Sequence, residues 1–296
     1  MRAEQTKQLL KNSVYRALGE SRGLLRADGH AEPRLRVLMY HKVNDRPGNV
    51  VTVSPTLFTE QMAQLRELEY TVVDLHQVIA HYREGGPLPP RAVLITFDDG
   101  YRDTLENALP VLRDHAYPAV MFVPIGYLGE ARPLPHDESL AARGLVNRTL
   151  DWSELAELEA GGVRIESHGI SHRPLSEITI DEAAREITIS KLRLEERLGR
   201  AVEAFAYAKG AQAHYGPIHV SLVQQAGYRV AFTSVSGANT TATDPLRLRR
   251  YNVEPYSART FELVLAGACD LIGIKDTVPG THTRRLLNAA LGTSSK

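Results

Sequence analysis

Cysteine is almost absent from this chain: Cys269 is the only one in 296 residues. A single thiol forms no internal disulfide, which excludes the small disulfide-stapled scaffolds and fits a reducing compartment. Tryptophan is as scarce, with Trp152 alone. Neither sign of charge is in excess, since 35 Lys and Arg stand against 35 Asp and Glu. Without a basic surplus there is no electrostatic ground for a nucleic-acid partner. Long apolar runs are missing as well. Nothing approaches the roughly 18 consecutive apolar residues of a membrane span. The opening "MRAEQTKQLLKNSVYRALGESRGLLR" lacks the apolar segment of a secretory signal. Together these absences predict a cytoplasmic protein without a transmembrane segment.

What is present is ordinary globular composition, 43% hydrophobic and 24% charged, enough for one large α/β domain or two small ones. Residues 1–33 read as an extension built on a basic amphipathic helix. Leu10, Val14 and Leu18 share one face, with Lys7, Lys11 and Arg16 elsewhere. Such a helix either docks onto the domain or makes peripheral contact with a membrane. Residues 34–270 form the body and 271–296 a tail. Within the body, short apolar runs rich in β-branched residues predict strands at 36–40, 70–73, 92–97, 119–123, 163–166, 204–207, 228–234 and 246–253. Most are continuous rather than alternating, as in strands covered on both faces.

Helix patterns lie between them. "SPTLFTEQMAQLREL" has Pro55 near its first turn, and "TLENALPVLRDH" is interrupted by Pro110. "DWSELAELEAGG" opens on an Asp cap, and "TIDEAAREITISKLRLEERLG" stops at Gly199. Strand–helix alternation means parallel strands with helices outside. A closed or nearly closed β/α barrel is the economical solution, with an open doubly wound sheet as the alternative. No GxGxxG opens a helix, which speaks against a nucleotide-binding Rossmann domain. The connection from Ile125 to Leu150 exceeds normal loop length and is a candidate cover for a site.

In a barrel of this kind, functional groups collect at the carboxyl ends of strands. Here those ends read "MYHKV" with His41, "TFDDGY" with Asp98 and Asp99, "ESHGISH" with Glu166, His168 and His172, and "YAKG" with Lys209. Two imidazoles plus a carboxylate are a common set for a catalytic divalent metal. Adjacent acids leaving a strand project differently, so one can ligate an ion while the other acts as a base. Gly100 permits a sharp turn and leaves backbone N–H groups to face developing negative charge. A glycosidase reading fails because neighbouring carboxylates do not readily straddle a scissile bond at the required roughly 5–9.5 Å.

"TFDDGY", "SHGISH" and "FAYAKG" resemble the motifs of the NodB-homology polysaccharide deacetylases, carbohydrate esterase family 4. "LMYHKV", "LPPRAVLITFDDGY" and "PAVMFVP" are similar to the branch that deacetylates exopolysaccharides, including poly-N-acetylglucosamine. The resemblance runs from about Val37 to Phe261. It implies an α/β fold, a distorted (β/α)7 barrel of NodB-homology type. It implies Asp98 as catalytic base and Asp99, His168 and His172 as metal ligands, with His41 in the place of a histidine that the family more often carries in a C-terminal motif. The third motif departs from the family's "AYPYG": Ala208 and Lys209 stand there, and the arginine that braces the base is missing. Arg249 and Arg250 are candidates to replace it, set against the ordinary role of solvated arginines.

The implied activity is metal-dependent hydrolysis of the N-acetyl group of an amino sugar, in a polysaccharide or a glycan precursor, with release of acetate. Asp98 takes a proton from the attacking water, the backbone N–H of Tyr101 stabilises the oxyanion, and His41 protonates the leaving amine. The cofactor is one divalent metal, zinc first, with nickel or cobalt as alternatives. Trp152, Tyr207, Lys209 and Arg249 are the candidate contacts to the acetylated glycan. Two alternatives stay open: the same hydrolysis on an O-acetyl ester or a non-sugar amide, and a non-catalytic glycan-binding descendant.

Overall fold

A computed structural model describes residues 34–46, 51–268 and 270. The expected N-terminal helix and C-terminal tail lie outside the described residues. In chain order the strands are β1 Arg36–Tyr40, β2 Lys42–Val43, β3 Thr52–Val53, β4 Thr71–Val72, β5 Ala92–Phe97, β6 Ala119–Val123, β7 Val163–Ser167, β8 Ala204–Ala206, β9 Val230–Phe232 and β10 Tyr251–Asn252. The helices are α1 Pro55–Glu67, α2 Leu75–Glu84, α3 Leu109–Asp114, α4 Glu138–Ala141, α5 Trp152–Ala160, α6 Ile180–Leu198, α7 Pro217–Gln225 and α8 Ala258–Leu265.

The main sheet runs β10-β1-β5-β6-β7-β8-β9, every pairing parallel. Its two ends meet through the run 246–252. Leu248 bridges Phe232 in parallel, and three residues later Tyr251 pairs with Leu38. The curled sheet is therefore the expected distorted barrel, distorted where this one run changes neighbours. Strand alternation separates two cores. One side of each strand, with Leu38, Ile95, Met121, Ile165 and Phe205 among others, packs against the helices. The other side packs into the barrel interior, with Val37, Leu94, Phe122, Ala206, Phe232 and Leu248.

Helix ends follow their sequence signals. Ser54 caps α1, and Asp74, Asp151 and Thr179 each form a capping box with the residue three positions on. Gly199 ends α6 in the left-handed conformation. Pro110, which cannot donate an N–H, coincides with the expected interruption: a wide π-type turn at Thr104–Ala108 precedes α3. Among the described residues no helix is long and apolar enough to cross a membrane.

Candidate active site

Strand β5 carries the chain to its two acids. The Asp98 N–H still bonds to Tyr40 O at 2.9 Å, so Asp98 prolongs the strand beside β1. The backbone then turns sharply, with Asp99 at φ 74° and Gly100 at φ 67°. The positive φ favours glycine at position 100, and a Cβ there would also crowd Val123 Cγ1 at 3.2 Å. This turn separates the two carboxylates into different surroundings.

Asp98 is clamped. Both guanidinium nitrogens of Arg250 reach its two oxygens at 2.7 Å, a bidentate pair with both side chains buried. Arg250 is held in turn by the Thr233 carbonyl at 2.9 Å and by Thr96 Oγ1 at 3.4 Å. Burial raises the Asp98 carboxyl, but Arg250 outweighs it and holds the group below the usual carboxylate range. The brace absent from the third motif thus comes from the barrel-closing run. It is Arg250 and not Arg249, whose side chain lines a neighbouring cavity with Thr240 and Asp244.

Asp99 faces histidines instead. His172 Nε2 lies 3.0 Å and His168 Nε2 3.7 Å from its Oδ1. One ligand atom each from Asp99, His168 and His172 falls within a common 4.8 Å, and all three residues are buried. Neither Asp99 oxygen has an aligned hydrogen-bond donor despite these short contacts. A buried carboxylate aimed at imidazole nitrogens without directed hydrogen bonds fits a divalent cation, which takes lone pairs rather than protons. Burial pushes His168 down to about 4, keeping it neutral as a ligand must be. Its Nδ1 contacts the Ala206 carbonyl at 2.7 Å, which fixes the ring and presents Nε2. His172 reaches its position at φ 56°, so two of the three residues occupy the left-handed region.

The turn between the histidines is held by Glu186 of α6, a residue that the sequence reading did not single out. Its carboxylate accepts from the Ile170 and Ser171 amides at 2.6 and 2.9 Å and from Ser171 Oγ at 2.6 Å. Glu166, by contrast, serves the fold. It accepts from the Glu203 and Ala204 amides at 2.7 Å each and pairs with Arg164, tying β7 to β8.

A cavity of about 240 Å³ gathers His41, Asp98, Asp99, His168, His172, Tyr207, Lys209 and Arg250. His41 stands there with its Nδ1 buried and unpartnered, and burial pushes its pKa down. Tyr207 stacks on Tyr215 at 4.3 Å. His136, from the long connection, also lines the cavity and had no signal in the sequence beyond the length of that connection. Its Nε2 is 3.2 Å from Asp99 Oδ2, and Asp99 raises its pKa against the lowering by burial. Tyr101 does not line the cavity; its hydroxyl donates to Asp137 Oδ2 at 2.9 Å. Its backbone pairs with Thr149 in an antiparallel bridge closed by Arg102 N to Arg148 O and Leu150 N to Gly100 O. In that pattern the Tyr101 N–H points away from Thr149. Trp152 lies elsewhere, packed on the core at the start of α5 under the Arg197 guanidinium at 5.3 Å. The expected glycan contact at Trp152 is therefore not part of this cavity, because capping by Asp151 turns the residue into the helix layer.

The family profile for polysaccharide deacetylases matches residues 85–231. The chain belongs to the polysaccharide deacetylase family, the hydrolases of carbohydrate esterase family 4. YxkH of Bacillus subtilis, assigned to the polysaccharide deacetylases, is 25% identical over 222 residues, 75% of this chain and 72% of that protein. The poly-β-1,6-N-acetyl-D-glucosamine N-deacetylase of Escherichia coli is 36% identical over 91 residues. That match spans 30% of this chain and only 13% of the E. coli protein. The Streptococcus pyogenes deacetylase PplD, solved in complex with acetate, shares the fold at TM-score 0.66 and 22% identity, over 79% of this chain and 99% of PplD.

Proposed function

We propose that this deacetylase removes the N-acetyl group of an amino sugar in a polysaccharide or glycan precursor, acting with one divalent metal, zinc before nickel or cobalt. The observation that carries the reading is the divergence at one turn. Asp99 meets His168 and His172, while its neighbour Asp98 is clamped by Arg250 in the same cavity. The names of the B. subtilis and E. coli relatives support the substrate class.

Asp99, His168 and His172 would hold the ion, which when bound polarises the acyl oxygen and the attacking water. Asp98, ionised by its arginine and fixed in direction, accepts the proton of the water. The Tyr101 N–H, which the bridge leaves unbonded to Thr149, is the backbone donor assigned to the developing oxyanion, from beside the cavity rather than from its lining. His41 delivers a proton to the departing nitrogen, without which an amide expels its amine poorly. Since burial leaves His41 neutral in the resting site, the proton that it delivers is gained during the cycle, and the one released to Asp98 is at hand.

Incubation with oligomers of β-1,6-linked N-acetylglucosamine and zinc, cobalt or nickel should release acetate, with a mass loss of one acetyl unit per event. Asp98→Asn should keep the ion and lose at least about 10²-fold in turnover. No acetate from any N-acetylated glycan, or an Asp98→Asn variant turning over at the wild-type rate, would refute the reading.

A further inference from the structure

The connection from Ile125 to Leu150 is bonded to both loops that carry the candidate ligands. At its start, Ile125 N donates to Gly169 O and Gly126 N to Ile170 O, each at 3.0 Å, which joins it to the histidine turn. At its end, Leu150 N donates to Gly100 O at 2.8 Å, which joins it to the acidic turn. Between these attachments it places His136 beside Asp99, with the imidazole rings of His136 and His172 at 5.2 Å.

His136 is itself anchored. Its Nε2 lies 2.8 Å from the Tyr101 oxygen and 3.2 Å from Asp99 Oδ2. With Tyr101 donating its own proton to Asp137 Oδ2, its oxygen accepts from His136, whose Nε2 is thereby held in close, unaligned contact with Asp99 Oδ2. Asp137 is fully buried and fixed from two further sides, by Lys42 Nζ at 2.5 Å and Asn147 Nδ2 at 3.2 Å. The Lys42 ammonium also stands 4.8 Å above the Tyr101 ring. This buried ion pair makes a rigid base on which Tyr101 and then His136 are set. His136 addresses Oδ2, whereas His168 and His172 address Oδ1. Its nitrogen falls outside the cluster of ligand atoms formed by the other three residues.

We propose that His136 is a positioning residue of the metal site. Held by Tyr101 and the Lys42–Asp137 pair, it restrains the outer oxygen of Asp99 and so presents the inner one to the ion. The long connection is then part of the metal site rather than a cover over it. This inference rests on the metal reading of the cavity. The general chemistry is that of carboxylate ligands held by a neighbouring donor, whose loss commonly costs 10–100-fold in metal affinity. A second ion bound between His136 and Asp137 is disfavoured because Lys42 already occupies the cationic place beside Asp137.

The test is metal affinity by chelator competition, metal stoichiometry, and the visible spectrum of the Co²⁺-loaded protein. His136→Ala should weaken Zn²⁺ binding about 10–100-fold and alter the Co²⁺ bands. The metal-free variant should still melt as the wild type does, because the ring is partly exposed and outside the apolar cores. His136→Gln, which offers an amide N–H at similar reach, should recover most of the affinity. Arg132→Ala, on the same connection but with its guanidinium over Tyr127, should bind as the wild type does. Wild-type affinity and spectrum in His136→Ala would overturn the inference while leaving the metal reading intact. So would two ions per wild-type chain falling to one in His136→Ala. A wild-type protein that takes up no ion would overturn both.

Discussion

At the scale of single residues, the buried pair of Asp98 and Arg250 shows why adjacent acids can share a turn. The two carboxylates meet different surroundings, one paired with a guanidinium and the other facing imidazoles that, in the proposed reading, share a divalent ion with it. Removing one partner of such a pair leaves a bare buried charge, which typically costs about 3–5 kcal/mol. Arg250→Ala should therefore lose stability on that order in denaturant titrations, and turnover with it. Adding Asp98→Asn to Arg250→Ala should recover at least about 1 kcal/mol relative to the sum of the single effects, since contacting charges couple. Strict additivity would show that the two do not act as a pair.

Asp103 gives a pH-dependent expectation. Burial raises its carboxyl to about 6 despite the Asn44 amide donating to it, and its Oδ1 has no partner. Between about pH 4 and 6 the folded protein thus holds a proton that the unfolded chain has released, so stability falls as pH rises through that window. Asp103→Asn keeps an acceptor for Asn44 and removes the ionisation. Thermal melts should show a flatter profile across pH 4–6 and a gain on the order of 1–3 kcal/mol at pH 7. An unchanged slope would assign the pH dependence to other groups.

At the scale of elements, the site depends on helix α6 as much as on strand ends. Glu186 lies on α6 beside Ile187, a core residue, and it holds three donors of the turn between His168 and His172. Glu186→Ala should leave the helix intact, since alanine is the best helix former. It should loosen the turn, with metal affinity falling roughly tenfold or more and little change in the circular dichroism spectrum. Wild-type affinity would mean that β7 and the long connection suffice to set the turn. The elements themselves were largely legible, because strands β1, β5 and β6 coincide with continuous apolar runs that only a doubly covered strand tolerates. The run at 246–253 was less so. It was expected as one strand, yet it pairs first with β9 and then with β1, leaving only Tyr251–Asn252 as regular strand. Neither pairing is written in local periodicity, since which strand the run meets is set by how the barrel closes.

At the scale of the whole molecule, two apolar cores, one inside the barrel and one beneath the helices, are built away from the proposed metal ligands. Metal removal should therefore yield a folded protein that melts lower. An ion at about 100 times its dissociation constant adds on the order of 2.7 kcal/mol, or roughly 5–10 °C for a body of this size. The shift should vanish in Asp99→Ala. An equal shift in that variant would place the stabilising ion elsewhere.

The sequence by itself determined the strand and helix succession and the parallel barrel, and it singled out Asp98, Asp99, His168, His172 and His41 as candidates, which share one cavity. These follow from period, caps and motif spacing, all of which are local properties of the chain. Only the tertiary structure decided that Arg250 rather than Arg249 pairs with Asp98, that Trp152 stands outside the cavity, that His136 lines it, and that Glu186 holds the histidine turn. The physical reason is reach. Arg250 is 152 positions from the carboxylate it neutralises, and His136 arrives on a connection with little regular structure. Such partners are chosen by how the barrel closes and where a long loop is bonded down, and neither leaves a period in the sequence.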